Sequence, residues 1–213
     1  MKRYGLGIDI GGTFTDIVVY DTQSGTQFSR KELTTHGDPS RGVMTGIDSL
    51  LTDGVLTAGE IGRVVHATTL VTTALIDRRG AATGLLTTAG FRDTLEIGRE
   101  RKYELYDIKI VKPAALVPRH LRLEVRERLH PDGSVHTALD EQGVLDATRR
   151  LVDHGVESLA VTFLHSYANP NHERRALDVI RDAFPDLSLS ASIDVAPEIR
   201  EYERTSTTAC NAY

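Results

Sequence analysis

Alternating apolar and polar positions near the start of the chain predict a three-stranded antiparallel meander. The expected strands cover residues 6–10, 17–20 and 27–33. A turn-rich segment, 21–25, joins the last two, and connections this short are typical of antiparallel neighbours. Asp38-Pro39 then predicts a helix start, followed up to Gly54 by apolar residues at helical spacing: Val43, Ile47, Leu50 and Leu51.

A second strand-and-helix pattern follows this helix. Val64-Val65 predicts a short strand, and the next helix carries a stripe that ends near Gly80: Leu70, Val71, Ala74 and Leu75. Leu85-Leu86 predicts one more short strand. Three antiparallel strands, a helix, a strand and a helix form the order of a ribonuclease-H-like core, which we assign to residues 1–87.

The rest of the chain first loses and then regains its regularity. We predict an irregular, β-rich insertion over 88–138, with a half-exposed strand at 121–125 and a hairpin turn at Pro131-Asp132-Gly133-Ser134. A helix, a buried strand, a helix and a strand then fill 139–194, an order that favours a parallel pair joined by a right-handed crossover. The predicted fold class is therefore α/β, with a mixed sheet.

The turn between the first two expected strands carries the most informative polar residues. Its sequence is Asp9-Ile10-Gly11-Gly12-Thr13-Phe14-Thr15-Asp16. Two glycines allow a close backbone approach, and successive inward N–H groups favour anions. Hydroxyls add donors, and the two carboxylates fit beside a phosphate if Mg²⁺ bridges them to it. This stretch predicts metal–nucleotide binding, with an ordinary Gly-Gly hairpin turn as the alternative.

Composition narrows the classes of partner. The 213 residues include 25 Lys and Arg against 30 Asp and Glu, a net charge of −5 without a basic stripe for nucleic acid. No apolar run approaches the roughly 18 residues needed to cross a membrane, and the start lacks the apolar core of a signal peptide. The single cysteine, Cys210, permits no internal disulfide. We therefore expect a cytoplasmic protein with no nucleic-acid or membrane partner.

Other polar residues give weaker signals. His66, Thr68 and Thr69 lie where a strand meets a helix, so they predict either a ligand contact at the positive helix terminus or a capped helix with a hydrogen-bonded histidine. Spacings of four and three place three charged residues on one helix face, either for an anionic substrate or as a solvated face: Arg92, Glu96 and Arg99.

Two histidines and the cysteine favour structural roles. His165 and His172 lack a third partner at metal spacing, which favours a helix cap and a surface position. Cys210 lies on the inward stripe of the last expected helix with no evident base, which favours a buried thiol.

The spacing of residues 9–16 resembles the first phosphate loop of the actin, sugar-kinase and Hsp70 superfamily. Taken with other stretches, it resembles the N-terminal region of the hydantoinase A and 5-oxoprolinase family, which includes subunits of acetone-type and acetophenone-type carboxylases. The further matching stretches are His66-Ala67-Thr68-Thr69, Thr73-Ala74-Leu75-Ile76, Arg79-Gly80, Thr87-Thr88-Ala89-Gly90-Phe91-Arg92-Asp93, Leu95-Glu96-Ile97-Gly98-Arg99, Leu105-Tyr106-Asp107, Phe163-Leu164-His165-Ser166-Tyr167, Asn169-Pro170 and Arg200-Glu201-Tyr202-Glu203-Arg204. The family usually has Gly at position 67 and Asn at position 73, where this chain has Ala67 and Thr73.

The resemblance implies the N-terminal half of an actin-like ATPase fold. Residues 1–194 are then the family's N-terminal domain, and 195–213 the first helix of a following hydantoinase A domain, cut short. This expectation makes the chain a fragment, whereas a helix that frays at a natural C-terminus is the alternative.

The resemblance also implies an ATP-dependent enzyme that phosphorylates the carbonyl oxygen of a cyclic amide or imide, so that water opens the ring. Asp9 would hold Mg²⁺ or Mn²⁺, while phosphate oxygens would bind Gly11, Gly12, Thr13 and Thr15, with Asp16 nearby. A hydantoinase B-type partner subunit or domain and an oligomeric full-length protein are expected. A carboxylase subunit, or a catalytically incomplete binding or scaffold module, is the alternative.

Overall fold

Four strands build a mixed sheet in the N-terminal part of the computed structural model, which describes residues 2–35, 37–99 and 104–213. They are β1 (Tyr4–Ile10), β2 (Phe14–Asp21), β3 (Gln27–Leu33) and β4 (Ile61–Thr68). Their order is β3-β2-β1-β4, with antiparallel pairing between β1, β2 and β3 and parallel pairing between β1 and β4. The predicted antiparallel meander is confirmed, and the strand predicted at Val64-Val65 extends over eight residues.

Helix α1 (Pro39–Thr52) packs on this sheet. Asp38 caps it, because its Oδ1 accepts the N–H of Ser40 at 3.1 Å, and Pro39 fits the first turn, where an N–H would have no helical partner. A side chain at Gly46 would collide with Ile17, so glycine allows the close approach. The shared core comprises Tyr4, Leu6, Ile8, Ile10, Ile17, Val19, Leu50 and Leu56. A short 3₁₀ helix (Ala58–Glu60) precedes β4, and α2 (Leu70–Asp77) follows it.

A second sheet is entirely parallel in the described part of the chain. Its strands are β5 (Thr83–Thr88), β6 (Arg122–Val125), β9 (Ser158–Thr162) and β10 (Ser188–Ala191), in the order β10-β9-β5-β6. A separate antiparallel hairpin joins β7 (Arg128–Leu129) to β8 (Val135–Thr137), as predicted from the turn between them. The predicted parallel pair is β9 and β10.

Helices surround this second sheet. They are α3 (Thr94–Ile97), a 3₁₀ turn (Arg119–Leu121), α4 (Glu141–Asp153), α5 (Asn171–Ala183), α6 (Ser192–Val195) and α7 (Glu201–Ala212). Their apolar faces bury a core around β5 and β9 that includes Leu85, Leu86, Leu159, Val161, Phe163, Leu177 and Ile180. Among the helices of the described residues, none is long and apolar enough to cross a bilayer.

The chain divides into two compact units, residues 1–79 and 80–213. β5 and β6 come from segments that the sequence pattern assigned to the N-terminal core and to the insertion, yet they pair with each other in the second unit. Residues 100–103, inside the predicted insertion, lie outside the described residues. The predicted boundaries at 87, 138 and 194 stay predictions.

Candidate functional site

Residues 11–13 connect β1 to β2 in a tight hairpin. Gly11 N donates to Phe14 O at 2.9 Å, and the strand ladder places Asp9 opposite Asp16. A Cβ atom at Gly11 would lie 3.0 Å from Phe14 O, a tight contact that would require a small shift of the backbone. The hairpin alternative and the binding alternative are therefore compatible, because Gly11 closes the turn while the N–H groups of Gly12 and Thr13 make no hydrogen bond in the described part of the chain.

Hydrogen bonds from Thr34, whose hydroxyl also contacts that of Thr15, stabilise this hairpin. Thr34 Oγ1 donates to Gly11 O at 2.9 Å, and Thr34 N donates to Thr13 O at 3.0 Å. Thr15 is fully buried, with its Oγ1 3.1 Å from Thr34 Oγ1. Thr13 is exposed, so the two loop threonines differ. A contact from Thr15 to phosphate stays a prediction and would require its hydroxyl to leave this pair.

Parallel pairing of β1 with β4 brings the second predicted group of residues to the same hairpin. Thr68 Oγ1 and Thr69 N both donate to Ile10 O, at 3.1 Å each. Thr68 Oγ1 also accepts the N–H of Leu70 at 3.1 Å, so it satisfies the first backbone donor of α2 from the position before the N-cap residue, Thr69. His66 is exposed in β4 opposite Ile8, two positions before this junction.

Helix α2 also contacts the hairpin. A Cβ atom at Gly12 would lie 3.1 Å from Thr73 Cγ2 and 3.3 Å from Thr73 Oγ1. The position at which the family usually has Asn therefore lies directly against the second loop glycine. Ala67, the other departure, pairs with Asp9 in the ladder.

The hairpin residues fit a phosphate and a divalent metal ion. Within the described residues, the N–H groups of Gly12 and Thr13 make no hydrogen bond, so both are available to an anion. The carboxylate of Asp9 is exposed, whereas Asp16 Oδ1 lies 3.0 Å from Lys31 Nζ. The described ranges contain no cluster of three metal-binding side chains. Phosphate oxygens and water would supply the remaining ligands, as is common for Mg²⁺.

The predicted helix face with Arg92, Glu96 and Arg99 does not form as expected. Helix α3 is four residues long, so Arg92 precedes it and Arg99 follows Gly98, whose φ is 59°. Each side chain instead has its own partner: Arg92 Nη2 donates to Arg119 O at 2.8 Å, Glu96 Oε1 accepts from Arg122 Nη2 at 2.9 Å, and Arg99 Nε donates to Glu203 Oε1 at 2.6 Å. The prediction that these three residues share one helix face is therefore wrong.

Glu96 and Arg99 nevertheless border one cavity, which we call the α3–α7 cavity. Its volume is about 370 Å³, within the range of small-molecule sites. It is lined by Leu95, Glu96, Ile97, Gly98, Arg99, Lys112, Pro113, Ala114, Ala115, Leu116, Tyr202, Ser206 and Ala209. Arg92 lines a different groove, beside α4.

Buried and bidentate ion pairs hold the wall of this cavity. Arg122 is 1% exposed, and its Nε donates to Val117 O at 2.8 Å while Nη2 pairs with Glu96. Arg119 forms two parallel bonds with Asp93, at 2.8 and 2.9 Å. The Arg119 side chain lowers the pKa of the Asp93 carboxyl. Because Arg122 is buried, loss of Glu96 would leave its charge uncompensated, so this contact fixes the backbone around α3, whereas both partners of the Arg119–Asp93 pair are exposed.

The residues after β9 form a second polar cluster that the sequence pattern missed. Glu173 is fully buried and accepts from Phe163 N at 2.7 Å and from Ser192 Oγ at 2.6 Å. His172 is also buried, with its Nδ1 2.7 Å from Glu127 Oε2, so the predicted surface position of His172 is wrong. A glutamate in an otherwise apolar helix stripe was the available signal.

The two remaining candidate residues are His165 and Cys210. His165 has φ of 59°, which is uncommon for a residue with a side chain, and it is partly buried. Cys210 is partly rather than fully buried, and this burial raises the pKa of its thiol.

Comparisons with known proteins identify the family. The model of the hydantoinase/oxoprolinase N-terminal region matches residues 5–184. This chain belongs to the hydantoinase/oxoprolinase family. Caprolactamase subunit alpha of Pseudomonas jessenii is 38% identical over 218 residues, which cover 100% of this chain and 31% of that subunit. The acetophenone carboxylase gamma subunit of Aromatoleum aromaticum is 36% identical over 227 residues, covering 98% of this chain and 30% of that subunit.

Solved structures of the same family share the fold. A nucleotide-free acetone carboxylase chain superposes with a TM-score of 0.86 at 29% identity, covering 100% of this chain and 32% of that one. ATP-dependent caprolactamase from Pseudomonas jessenii gives a TM-score of 0.84 at 38% identity, covering 99% and 31%. The chain therefore spans about a third of these relatives. Both chains share this α/β arrangement of a mixed and a parallel sheet.

Proposed function

We propose that this chain supplies the phosphate-binding wall of an ATP-dependent enzyme that activates the carbonyl oxygen of a cyclic amide or imide for hydrolytic ring opening. The proposal rests on two available backbone amides, at Gly12 and Thr13, that occur in the same stretch of chain as the exposed carboxylate of Asp9. Amides and a metal-binding carboxylate together match the charges of a metal–nucleotide complex. Phosphoryl transfer depends mostly on such positioning and charge neutralisation.

Individual roles follow from the contacts of each residue. Asp9 holds Mg²⁺ or Mn²⁺, which neutralises phosphate charge when bound. Gly11 allows the turn, and Gly12 and Thr13 donate to phosphate oxygens. Thr15 supports the hairpin indirectly, because its hydroxyl contacts the hydroxyl of Thr34. The carboxylate of Asp16 is paired with the ammonium group of Lys31. Thr68 and Thr69 hold the hairpin at Ile10 O, which leaves His66 as the exposed candidate for contact with a ligand.

We also propose a more specific fold and domain assignment. Three antiparallel strands with β4 parallel to β1 have the strand order expected for a ribonuclease-H-like half of an actin-like ATPase. We assign residues 1–194 to the N-terminal domain and 195–213 to the start of a hydantoinase A domain. Curated relatives named as subunits support partner subunits, and we propose a partner of the hydantoinase B type and an oligomeric whole protein. A cytoplasmic location remains part of the proposal.

The carboxylase reading is the second candidate, favoured by the identity to an acetophenone carboxylase subunit and the fold shared with acetone carboxylase. Both reactions need the same activation of a carbonyl or carboxyl oxygen. Bicarbonate-dependent ATP hydrolysis with a ketone would identify the carboxylase. ATP-dependent opening of hydantoin, 5-oxoproline or caprolactam without bicarbonate would identify the hydrolase.

Substitution of Asp9 tests the proposal. Asp9→Ala should abolish Mg-ATP-dependent ring opening in the full-length protein reconstituted with its partner, because the metal loses its protein ligand. Asp48→Ala removes an exposed carboxylate from the surface of α1 and should leave turnover unchanged. Unchanged turnover in Asp9→Ala would refute the proposal.

The scaffold alternative has its own experiment. Calorimetric titration of Mg-ATP into the 213-residue chain measures whether this part binds nucleotide by itself. Tight binding that disappears in Asp9→Ala would count against a pure scaffold. Absence of binding, together with inactive full-length protein, would favour it.

A further inference from the structure

The α3–α7 cavity has the dimensions and lining of a small-molecule site. Its volume is about 370 Å³, and its apolar floor includes Leu95, Leu116 and Ala209. Sites of this kind combine an apolar lining with a few polar groups that fix orientation. All of its lining residues belong to the second unit of the chain.

Two of the charged groups around the cavity are each paired with an opposite charge. Glu96 pairs with Arg122, and Arg99 pairs with Glu203 at 2.6 Å. Lys112 Nζ donates to the backbone carbonyl oxygen of Glu96 at 3.0 Å, so one of its donors is used while its charge is kept. An ionic ligand would have to compete with these contacts, which favours an uncharged occupant.

Two hydroxyl groups at the cavity, unlike the paired charged groups, are available to a ligand. Tyr202 and Ser206 lie four residues apart on α7, so they share one helix face, and both line the cavity. Within the residues that the structure describes, neither hydroxyl makes a hydrogen bond. Two neighbouring donors over an apolar floor match a carbonyl oxygen on an apolar ring.

Gly98 shapes the entrance beside the tyrosine. Its φ of 59° and ψ of −135° belong to a region that only glycine adopts readily, and a Cβ atom there would lie 3.7 Å from the Tyr202 ring. The turn that follows α3 therefore lies directly against the Tyr202 ring.

We propose that the α3–α7 cavity binds the uncharged cyclic amide or imide substrate, with the hydroxyl groups of Tyr202 and Ser206 donating to its carbonyl oxygen. This inference rests on the proposed function for the identity of the ligand class. It assigns binding to residues other than the charged face predicted from sequence. Leu95, Leu116 and Ala209 contact the ring methylenes.

Equilibrium binding without ATP tests the cavity separately from turnover. Hydantoin and caprolactam, which are both uncharged, are titrated into the full-length protein by calorimetry, with ligand-observed NMR for millimolar affinities. Tyr202→Phe and Ser206→Ala should each weaken binding of the accepted probe about 3- to 10-fold, the loss expected for one hydrogen bond. Melting temperature is measured for every variant.

Matched controls come from the same residue types. Thr207→Ala removes a hydroxyl from the exposed face of α7, and Tyr106→Phe removes one from a tyrosine that is 87% exposed. Both should bind like wild type. Failure of wild type to bind any probe, or wild-type affinity in both cavity variants, overturns the inference. Hydroxyl-dependent binding without ATP-dependent ring opening upholds the cavity assignment and refutes the proposed function.

Discussion

Asp9 and Asp16 lie opposite each other on antiparallel strands, and Lys31 Nζ is 3.0 Å from Asp16 Oδ1. Like charges directly across a ladder repel, so the lysine offsets one carboxylate and leaves the other exposed. A binding site that keeps such a pair sacrifices some stability for function. The pair therefore gives a test of the hairpin that needs no substrate.

Asp9→Asn should raise the free energy of unfolding by about 0.2–1 kcal/mol, because it removes the cross-strand repulsion. Urea denaturation without nucleotide measures the change. Asp16→Asn should gain less, since it also loses the attraction of Lys31. A drop in stability for Asp9→Asn would show that its carboxylate supports the fold.

Gly12→Ala should destabilise the protein by about 1–3 kcal/mol through overpacking, because the new Cβ would lie 3.1 Å from Thr73 Cγ2. Adding Thr73→Ala should recover most of the loss. A double-mutant cycle of unfolding free energies measures this coupling. Strictly additive effects would place the strain somewhere other than the contact between Gly12 and Thr73.

Glu173→Gln should lower the free energy of unfolding by about 1–3 kcal/mol. The carboxylate accepts from Phe163 N, Ser192 Oγ and Ile193 N, the last at 3.0 Å, and an amide nitrogen placed there would face a donor. Thermal and urea unfolding measure the loss. Glu198→Gln, at an exposed position, is the control and should change little.

His165 should make stability depend on pH. Burial, followed by nearby Arg128 and Arg204, lowers the pKa of His165 below its ordinary value of 6.5. Between that lowered pKa and 6.5 the unfolded chain binds more protons than the folded protein, so stability falls as pH falls through this window. His165→Asn, which tolerates the left-handed backbone, should remove this component.

Unfolding free energies of wild type and His165→Asn, measured from pH 7.5 to pH 5, check the sign. The free energy of unfolding of the wild type should fall relative to that of His165→Asn as the pH is lowered. A difference that is constant over the range would contradict the direction of the pKa shift. His120, which is exposed, offers a parallel variant, His120→Asn, as a control.

Local patterns predicted the elements well where short-range signals were strong. Alternation between β1 and β3 gave the meander, and Asp38-Pro39 gave the start of α1. Prediction was poorest around α3, because spacings of three and four are equally compatible with a long helix and with one turn flanked by irregular chain. Gly98, at positive φ, ends the helix there.

The sequence by itself determined the hairpin of residues 9–16, because its glycines, threonines and carboxylates act through adjacent backbone. It also determined the family, through stretches distributed over nearly the whole chain. Only the tertiary structure decided that Thr15 is buried against Thr34, that β5 pairs with β6 and β9, and that α3 and α7 enclose a cavity. Those outcomes depend on packing between residues distant in sequence, and the periodicity of each segment does not specify its partner.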